Sequence, residues 1–172
     1  MGPRLWWLFG PAFVAVLGTA YAVCNALVNP YPTAPVGALI TVPSDVGVTR
    51  FLDVVITPSR DWLSPHITSV TAVGRSPSLR VRFVTTTLDQ AVMTSSGFPL
   101  RCAYGRTRAA AGTHLDTHTA TVLRIIIEPT RLGRARFRGF TISWRAGPFH
   151  GTSFSPFAVA VHARASAYDG CR

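Results

Sequence analysis

Apolar and polar residues alternate with a period of two along much of the chain. Leu79, Val81 and Phe83 are separated by arginines, and similar alternation runs from Leu52 to Ile56 and from Phe157 to Ala163. Successive side chains of a strand point to opposite faces of a sheet, so this pattern predicts strands with one face in a core. Beyond residue 36 we find no stretch with the 3.6-residue period of an amphipathic helix.

Val122 to Ile127 follows a different pattern, because it is almost continuously apolar. A strand that is covered on both faces has this composition, so we predict a central strand here. Clusters of Gly, Pro, Ser and Asp separate the apolar runs at the short spacing typical of two packed sheets. We therefore predict an all-β fold class: a single antiparallel β-sandwich, Ig-like or jelly-roll-like, preceded by one N-terminal hydrophobic helix.

The segment from residue 134 to residue 144 conflicts with strict alternation. Three arginines and three large apolar residues share its even positions: Arg134, Arg136, Arg138, Phe140, Ile142 and Trp144. Placing all six on one face would bury unpaired charges, which is costly. One extra residue at Gly139 would invert the register, so we predict a bulge or sharp bend at Arg138–Gly139. The arginines then face solvent, while Ala135 and Phe137 join the large apolar residues in the core.

The N-terminal segment is apolar and nearly free of charge. Arg4 is the only charged residue before Asp45, and Leu5 to Val28 contains no charged side chain. About 20 apolar residues in a helix span the hydrocarbon core of a bilayer, so residues 1–28 are predicted to form a single-pass anchor. A basic residue on the N-terminal side favours a cytoplasmic N-terminus, with the rest of the chain outside.

Two further features bear on the role of this segment. Trp6 and Trp7 would lie at the inner membrane interface, where tryptophan is enriched. The sequence Ala20-Tyr21-Ala22 matches the small-x-small pattern of signal peptidase, so the alternative is a leader cleaved after Ala22 and a secreted domain. Residues 29–36 contain three prolines and are predicted to form a stiff connector to a domain at 37–172.

The cysteines agree with an oxidising compartment. Cys24 lies in the apolar segment, which leaves Cys102 and Cys171 as a pair in the domain. Exported domains form disulfides from such pairs, so we predict a Cys102–Cys171 disulfide. Closing this loop would restrict the unfolded chain and stabilise the fold by roughly 4 kcal/mol.

Basic residues outnumber acidic residues in the chain. It has seventeen Lys or Arg residues, all of them arginine, against seven acidic residues, for a net charge of +10. Five arginines are predicted to share a basic face: Arg131, Arg134, Arg136, Arg138 and Arg145. A second group, Arg101, Arg106 and Arg108, lies beside Cys102. Such surfaces attract anions, so the expected partners are the lipid bilayer and a protein or other anionic component of the cell envelope.

Motifs for catalysis or cofactor binding are absent from the sequence. His114 and His118, with Asp116 between them, are the candidate metal ligands, but their loop context and the missing third ligand argue against a metal. There is no G-x-S-x-G elbow and no Gly-rich phosphate loop. We expect no cofactor, no nucleic-acid partner and no enzymatic activity; a small hydrolase without a known motif is the enzymatic alternative.

These features together predict a membrane-anchored, extracytoplasmic binding or accessory module that is not catalytic. It would engage an envelope or surface partner through the basic face of a β-sheet. The alternative is a secreted, soluble β-sandwich domain that signal peptidase releases and that binds a ligand or a protein.

Overall fold

The structure is a computed structural model that describes residues 31–32, 39–57, 64–88, 98–99, 106–116 and 120–165. The regular elements in these ranges are strands, which confirms the predicted all-β class. None of the described residues belongs to a helix long and apolar enough to cross a membrane. The predicted anchor at 1–28, the cleavage position after Ala22, the Cys102–Cys171 disulfide and His118 lie outside the described residues.

The strands are numbered in chain order. They are β1 (Tyr31–Pro32), β2 (Leu39–Asp45), β3 (Arg50–Thr57), β4 (His66–Val73), β5 (Leu79–Thr87), β6 (Phe98–Pro99), β7 (Arg108–Ala109), β8 (Thr121–Pro129), β9 (Gly133–Phe137), β10 (Gly139–Ala146), β11 (Phe149–Ser155) and β12 (Ala158–Arg164). Strand β1 lies inside the predicted connector and pairs with β3, where Pro32 faces Ile56. A proline is compatible with this position because β1 is at the edge of its sheet.

The described strands form three sheets. A six-stranded sheet has the order β1-β3-β8-β5-β7, with β6 also paired to β3, and two three-stranded sheets have the orders β11-β10-β4 and β2-β12-β9. Strands β2 and β12 run parallel, so the predicted antiparallel arrangement does not hold for this pair. These two strands come from opposite ends of the domain sequence, and no tight turn between them requires the antiparallel direction.

Strand β8 occupies the centre of the six-stranded sheet. It pairs with β3 along one edge and with β5 along the other. Every residue from Val122 to Ile127 is buried, which confirms the central strand predicted from the apolar run. One of these buried residues is Arg124, whose environment is described below.

One apolar cluster joins all three sheets. Its strand members come from β3, β5 and β8 in the large sheet, from β4 and β10 in one small sheet, and from β2, β9 and β12 in the other. Phe140 lies at the junction, with its ring centroid 5.8 Å from that of Phe83 and 6.5 Å from that of Phe157. Each fully buried side chain of this size contributes roughly 1.5–3 kcal/mol, so this cluster is the main source of stability.

The chain changes sheets at Arg138. Strand β9 ends at Phe137 and pairs with β12, whereas β10 begins at Gly139 and pairs with β4 and β11. The predicted inversion of the register is confirmed: Ala135, Phe137, Phe140, Ile142 and Trp144 are buried, and Arg134, Arg136 and Arg138 are exposed. The bend is a switch between sheets, since the register shift within β10 lies further on, between Ser143 and Trp144.

Gly139 and Gly151 permit two close approaches. A Cβ at Gly139 would overlap the carbonyl oxygen of Ser155 and lie 2.8 Å from the Phe154 ring. Gly151 faces Trp144 across the β10–β11 pair, and a Cβ there would lie 2.7 Å from the indole. Both positions therefore need a residue without a side chain.

Candidate functional site

Arg134 and Arg136 lie on one exposed face of the β2-β12-β9 sheet. They are two residues apart on β9, and the buried Ala135 between them points into the core. Their direct partners on β12 are His162 for Arg134 and Ala160 for Arg136. Because side chains of opposed residues in adjacent strands are neighbours, the two guanidinium groups stand beside the outer face of β12.

This face forms a shallow groove, which we call the basic groove. It measures about 440 Å³ and is lined by Leu39, Thr41, Ser76, Arg134, Ala135, Arg136, Ala160 and His162. The small side chain of Ala160 leaves room over the middle strand, and β2 supplies the wall opposite the arginines. The result is a depression with cationic donors along one side and small or apolar groups along the other.

The backbone of Arg136 is held by Ser76 in the β4–β5 loop. The Ser76 N–H donates to the Arg136 carbonyl oxygen at 2.8 Å, and the Arg136 N–H donates to Ser76 Oγ at 3.0 Å. This reciprocal pair covers the open edge of β9 at that residue and fixes the position from which the side chain projects.

The other three arginines of the predicted basic face lie elsewhere. Arg138 follows β9 at the sheet switch, where its stem packs against Gly74 and its N–H donates to the Val73 carbonyl oxygen at 2.8 Å. Arg145 is on β10 in a different sheet, and its Nε donates to the Gly147 carbonyl oxygen at 3.1 Å. Arg131 is exposed in the turn between β8 and β9. The sheet switch thus divides the five arginines, and the basic groove contains two of them.

A second depression, which we call the threonine pocket, lies where β5 extends past the end of β7. It measures about 330 Å³ and is lined by Thr85, Thr86, Thr87, Arg106, Arg108, Thr113, His114, Asp116 and Thr121. Within the described ranges, no three His, Cys, Asp or Glu side chains are grouped as a metal ion requires. His114 instead contacts His66, with ring centroids 5.5 Å apart.

Arg124 and Asp53 form an ion pair that the sequence analysis missed. Arg124 Nε donates to Asp53 Oδ1 and Nη2 donates to Oδ2, both at 2.8 Å, and both side chains are fully buried. The guanidinium carbon also lies 4.5 Å from the centroid of the Phe51 ring. The available signal was that Asp53 and Arg124, of opposite sign, each interrupt the apolar run in the middle of a strand. Because both carboxylate oxygens are engaged by the guanidinium, we assign this pair a structural role.

Comparisons with known proteins do not identify a family. No family model matches the chain, and no curated protein matches it significantly. Among solved structures, the ASH / PapD-like domain 7 of human CEP192 is 14% identical, with a TM-score of 0.43 over 82% of this chain and 87% of that one. The Vibrio cholerae VesB protease is 7% identical, with a TM-score of 0.37 over 80% of this chain and 32% of that one. A family 123 glycoside hydrolase from Clostridium perfringens is 9% identical, with a TM-score of 0.42 over 73% and 22%. Similarity at this level says nothing about the activity of this chain.

Proposed function

We propose that this protein is a membrane-anchored, extracytoplasmic binding module with an Ig-like or jelly-roll-like β-sandwich, and that the basic groove binds an acidic segment of an envelope protein. The single observation that supports the proposal most is the placement of Arg134 and Arg136 on one exposed face beside Ala160 and His162. The uncharged stretch from Leu5 to Val28 supports the anchor. The module acts by binding and is not catalytic.

The spacing of the two arginines suits an extended acidic peptide. Residues two apart on a strand are separated by roughly 7 Å, and alternate side chains of an extended ligand have the same spacing. A guanidinium donates two parallel hydrogen bonds to one carboxylate, so acidic residues at alternate ligand positions would each pair with one arginine. The open floor at Ala160 leaves space for the ligand backbone.

The groove is also arranged to reduce the cost of binding. The Ser76 hydrogen bonds hold the backbone of Arg136. Between the two exposed arginines, the buried side chain of Ala135 anchors β9 to the core. A surface that is already in its binding conformation loses less conformational entropy when the ligand arrives. The net charge of +10 would in addition speed the encounter with an acidic partner.

The test compares two double charge reversals in the full-length protein held in detergent-free phosphatidylcholine nanodiscs. Arg134→Glu with Arg136→Glu changes the groove, while Arg131→Glu with Arg145→Glu makes the same change of charge outside it. The ligands are a peptide of alternating glutamate and threonine and vesicles of phosphatidylglycerol. We expect the groove variant to lose peptide affinity by about tenfold or more, and the control to keep most of it.

The outcomes distinguish a binding site in the groove from an effect of net charge and from lipid binding. Equal loss in the two variants would mean that the net charge is sensed and that the groove is not a site. If the vesicles bind through Arg134 and Arg136 and the peptide does not, the proposed peptide partner is wrong and the groove binds lipid. Unchanged melting temperatures in both variants are required, since the exposed arginines do not belong to the core.

A second candidate function is a secreted domain that uses the same groove. The Ala20-Tyr21-Ala22 sequence favours it, because signal peptidase cleaves after this pattern. Intact mass of the protein from its native membrane separates the two: a full-length chain supports the anchor, and a chain starting at Val23 supports release. The same spectrum, with and without reductant, tests the predicted Cys102–Cys171 disulfide through the mass of two hydrogen atoms.

A further inference from the structure

The outer face of the β4-β10-β11 sheet carries short hydroxyl side chains in adjacent rows. The register places Thr71 of β4 beside Thr141 of β10, and Ser69 beside Ser143. Across the other edge of β10, Thr152 of β11 faces Ser143. The residues between these positions point toward the core. We call the surface formed by these five residues the hydroxyl face.

An exposed phenylalanine lies at one end of the hydroxyl face. Phe154 of β11 is opposite Thr141 and is 54% exposed, and it is the only exposed aromatic side chain among those that the structure describes. Its ring reaches across β10 above Gly139, because a Cβ at that glycine would lie 2.8 Å from two ring atoms. Val73, the cross-strand partner of Gly139, is also exposed and completes an apolar end of the face.

The hydroxyl groups of the face are available to a ligand. In the part of the chain that the structure describes, no hydrogen bond ties any of the five to another group of the protein. A hydroxyl offers one donor and two acceptor positions, so each can exchange both kinds of hydrogen bond with the hydroxyls of a ligand. The strands fix the Cβ positions and threonine is stiff at χ1, so little conformational entropy is lost on binding.

The hydroxyl face is uncharged, although the chain has a net charge of +10. On this side of the sheet Arg145 and His150 follow one row beyond Ser143 and Thr152. Arg145 already donates to the Gly147 carbonyl oxygen. An acidic polymer would meet no cation among the hydroxyls, so the surface suits a neutral ligand that is rich in hydroxyl groups.

The dimensions of the face suit an extended ligand. Neighbouring strands are about 4.8 Å apart and alternate residues of a strand about 7 Å apart, so the distance along β10 from Gly139 to Ser143 is roughly 14 Å. Serine and threonine side chains have similar lengths, so they form a level surface without walls that would enclose a compact molecule. A ligand must therefore lie along the strands to contact both the Phe154 ring and the hydroxyl rows.

We propose that the hydroxyl face and Phe154 together bind a neutral glycan, a chain of pyranose units whose equatorial linkages keep it extended. The Phe154 ring stacks on the C–H face of one sugar, because the electron-rich face of an aromatic ring attracts weakly positive C–H groups. The hydroxyls of the following units exchange hydrogen bonds with the serine and threonine rows. A glycan with axial linkages coils away from a level surface and would make one of these contacts at a time.

The experiment measures saturable binding to the full-length protein in phosphatidylcholine nanodiscs by ligand-observed NMR. The ligands are cellohexaose and chitohexaose, which are extended, and maltohexaose, which joins the glucose units of cellohexaose through axial linkages. We expect at least one extended hexasaccharide to bind about tenfold or more tightly than maltohexaose, since it contacts the ring and the hydroxyls together.

Variants of the aromatic residue test the stacking contact. Phe154→Ala should weaken the extended glycan by about tenfold, whereas Phe154→Tyr keeps an aromatic ring and should retain most of the affinity. Leu132→Ala removes an exposed apolar side chain in the turn between β8 and β9 and should have no effect. Unchanged melting temperatures are required of all three variants, because both positions are exposed.

A second pair of variants tests the hydroxyls. Ser143→Ala combined with Thr152→Val removes two opposed hydroxyls and should weaken the extended glycan by about three- to tenfold, since each hydrogen bond contributes modestly. Thr41→Val removes an exposed hydroxyl from β2, outside the face, and should change nothing.

Four results would overturn the proposal. The first is no saturation with either extended hexasaccharide below about 10 mM, a concentration that corresponds to negligible affinity. The second is maltohexaose binding as tightly as cellohexaose and chitohexaose. The third is an equal loss in Phe154→Ala and Leu132→Ala. The fourth is loss of glycan binding on charge reversal of Arg134 and Arg136, which would place the glycan in the basic groove. The first three leave the peptide proposal untouched, because its test uses other residues.

Discussion

Arg124 of β8 and Asp53 of β3 are direct cross-strand partners, and two hydrogen bonds of 2.8 Å join their side chains inside the protein. A shift of the strand pairing by one residue would place the two charges on opposite faces of the sheet, where each would be buried without the other. An unpaired buried charge is far more costly than a lost apolar contact. The ion pair therefore selects one register for the two central strands.

Removing one member of this pair should be strongly destabilising. We expect Arg124→Met to lower the free energy of unfolding by about 3–5 kcal/mol, because Asp53 stays buried without its partner. Chemical denaturation of the full-length protein, followed by far-ultraviolet circular dichroism, measures the change.

The matched control replaces both charges. Asp53→Val combined with Arg124→Met leaves no buried charge and should recover most of the lost stability, since apolar pairs of similar size often substitute for buried ion pairs. A double variant as unstable as Arg124→Met alone would show that the loss comes from packing against Phe51 and other neighbours.

The sheet switch should depend on Gly139. Because a Cβ there would overlap the Ser155 carbonyl oxygen, we expect Gly139→Ala to displace β11 and to lower the unfolding free energy by about 1–3 kcal/mol. The midpoint of chemical denaturation checks this. Thr152→Ala, at an exposed position of the adjacent strand, is the control and should change stability by less than about 0.5 kcal/mol. Equal effects of the two changes would contradict the steric explanation.

Binding of the glutamate–threonine peptide to the basic groove should weaken with salt. Arg134 and Arg136 are exposed, so their attraction to carboxylates is screened as the Debye length falls from about 10 Å at 0.1 M to about 3 Å at 1 M salt. We expect a three- to tenfold loss of affinity over roughly this range, as measured by fluorescence anisotropy. Affinity that does not change with salt would mean that apolar contacts, with Leu39 for example, dominate.

Much of the fold was predictable because its causes are local. The apolar run from Val122 to Ile127 indicated a buried central strand, and the cost of burying three arginines required the inversion of register before Phe140. Both predictions are confirmed. The same local reasoning could not tell that Arg124 has a buried partner, because Asp53 is brought opposite it only by the pairing of β3 with β8.

The candidate sites were less predictable than the strands. The alternation at Arg134 and Arg136 correctly indicated that they share an exposed face. Arg145 was expected near them because it is close in sequence, but the chain enters another sheet at Gly139 before reaching it. The threonine pocket combines β5, the loop after β7 and the start of β8, and no motif spacing connects these segments.

The alternation from Leu52 to Ile56 predicted one buried face, but Phe51 and Asp53 on the other face of β3 are buried as well. By itself, the sequence determined the alternating strands, the buried central strand at Val122 to Ile127 and the bend before Gly139. These properties follow from the period-two geometry of a strand and from the cost of burying charge, which act within a few residues. Only the tertiary structure decided that β2 and β12 run parallel, that Asp53 neutralises Arg124, and that Arg108 lies beside Thr85. The physical reason is that strand pairing joins distant segments through backbone hydrogen bonds that every residue can make, so the local pattern does not specify the partner.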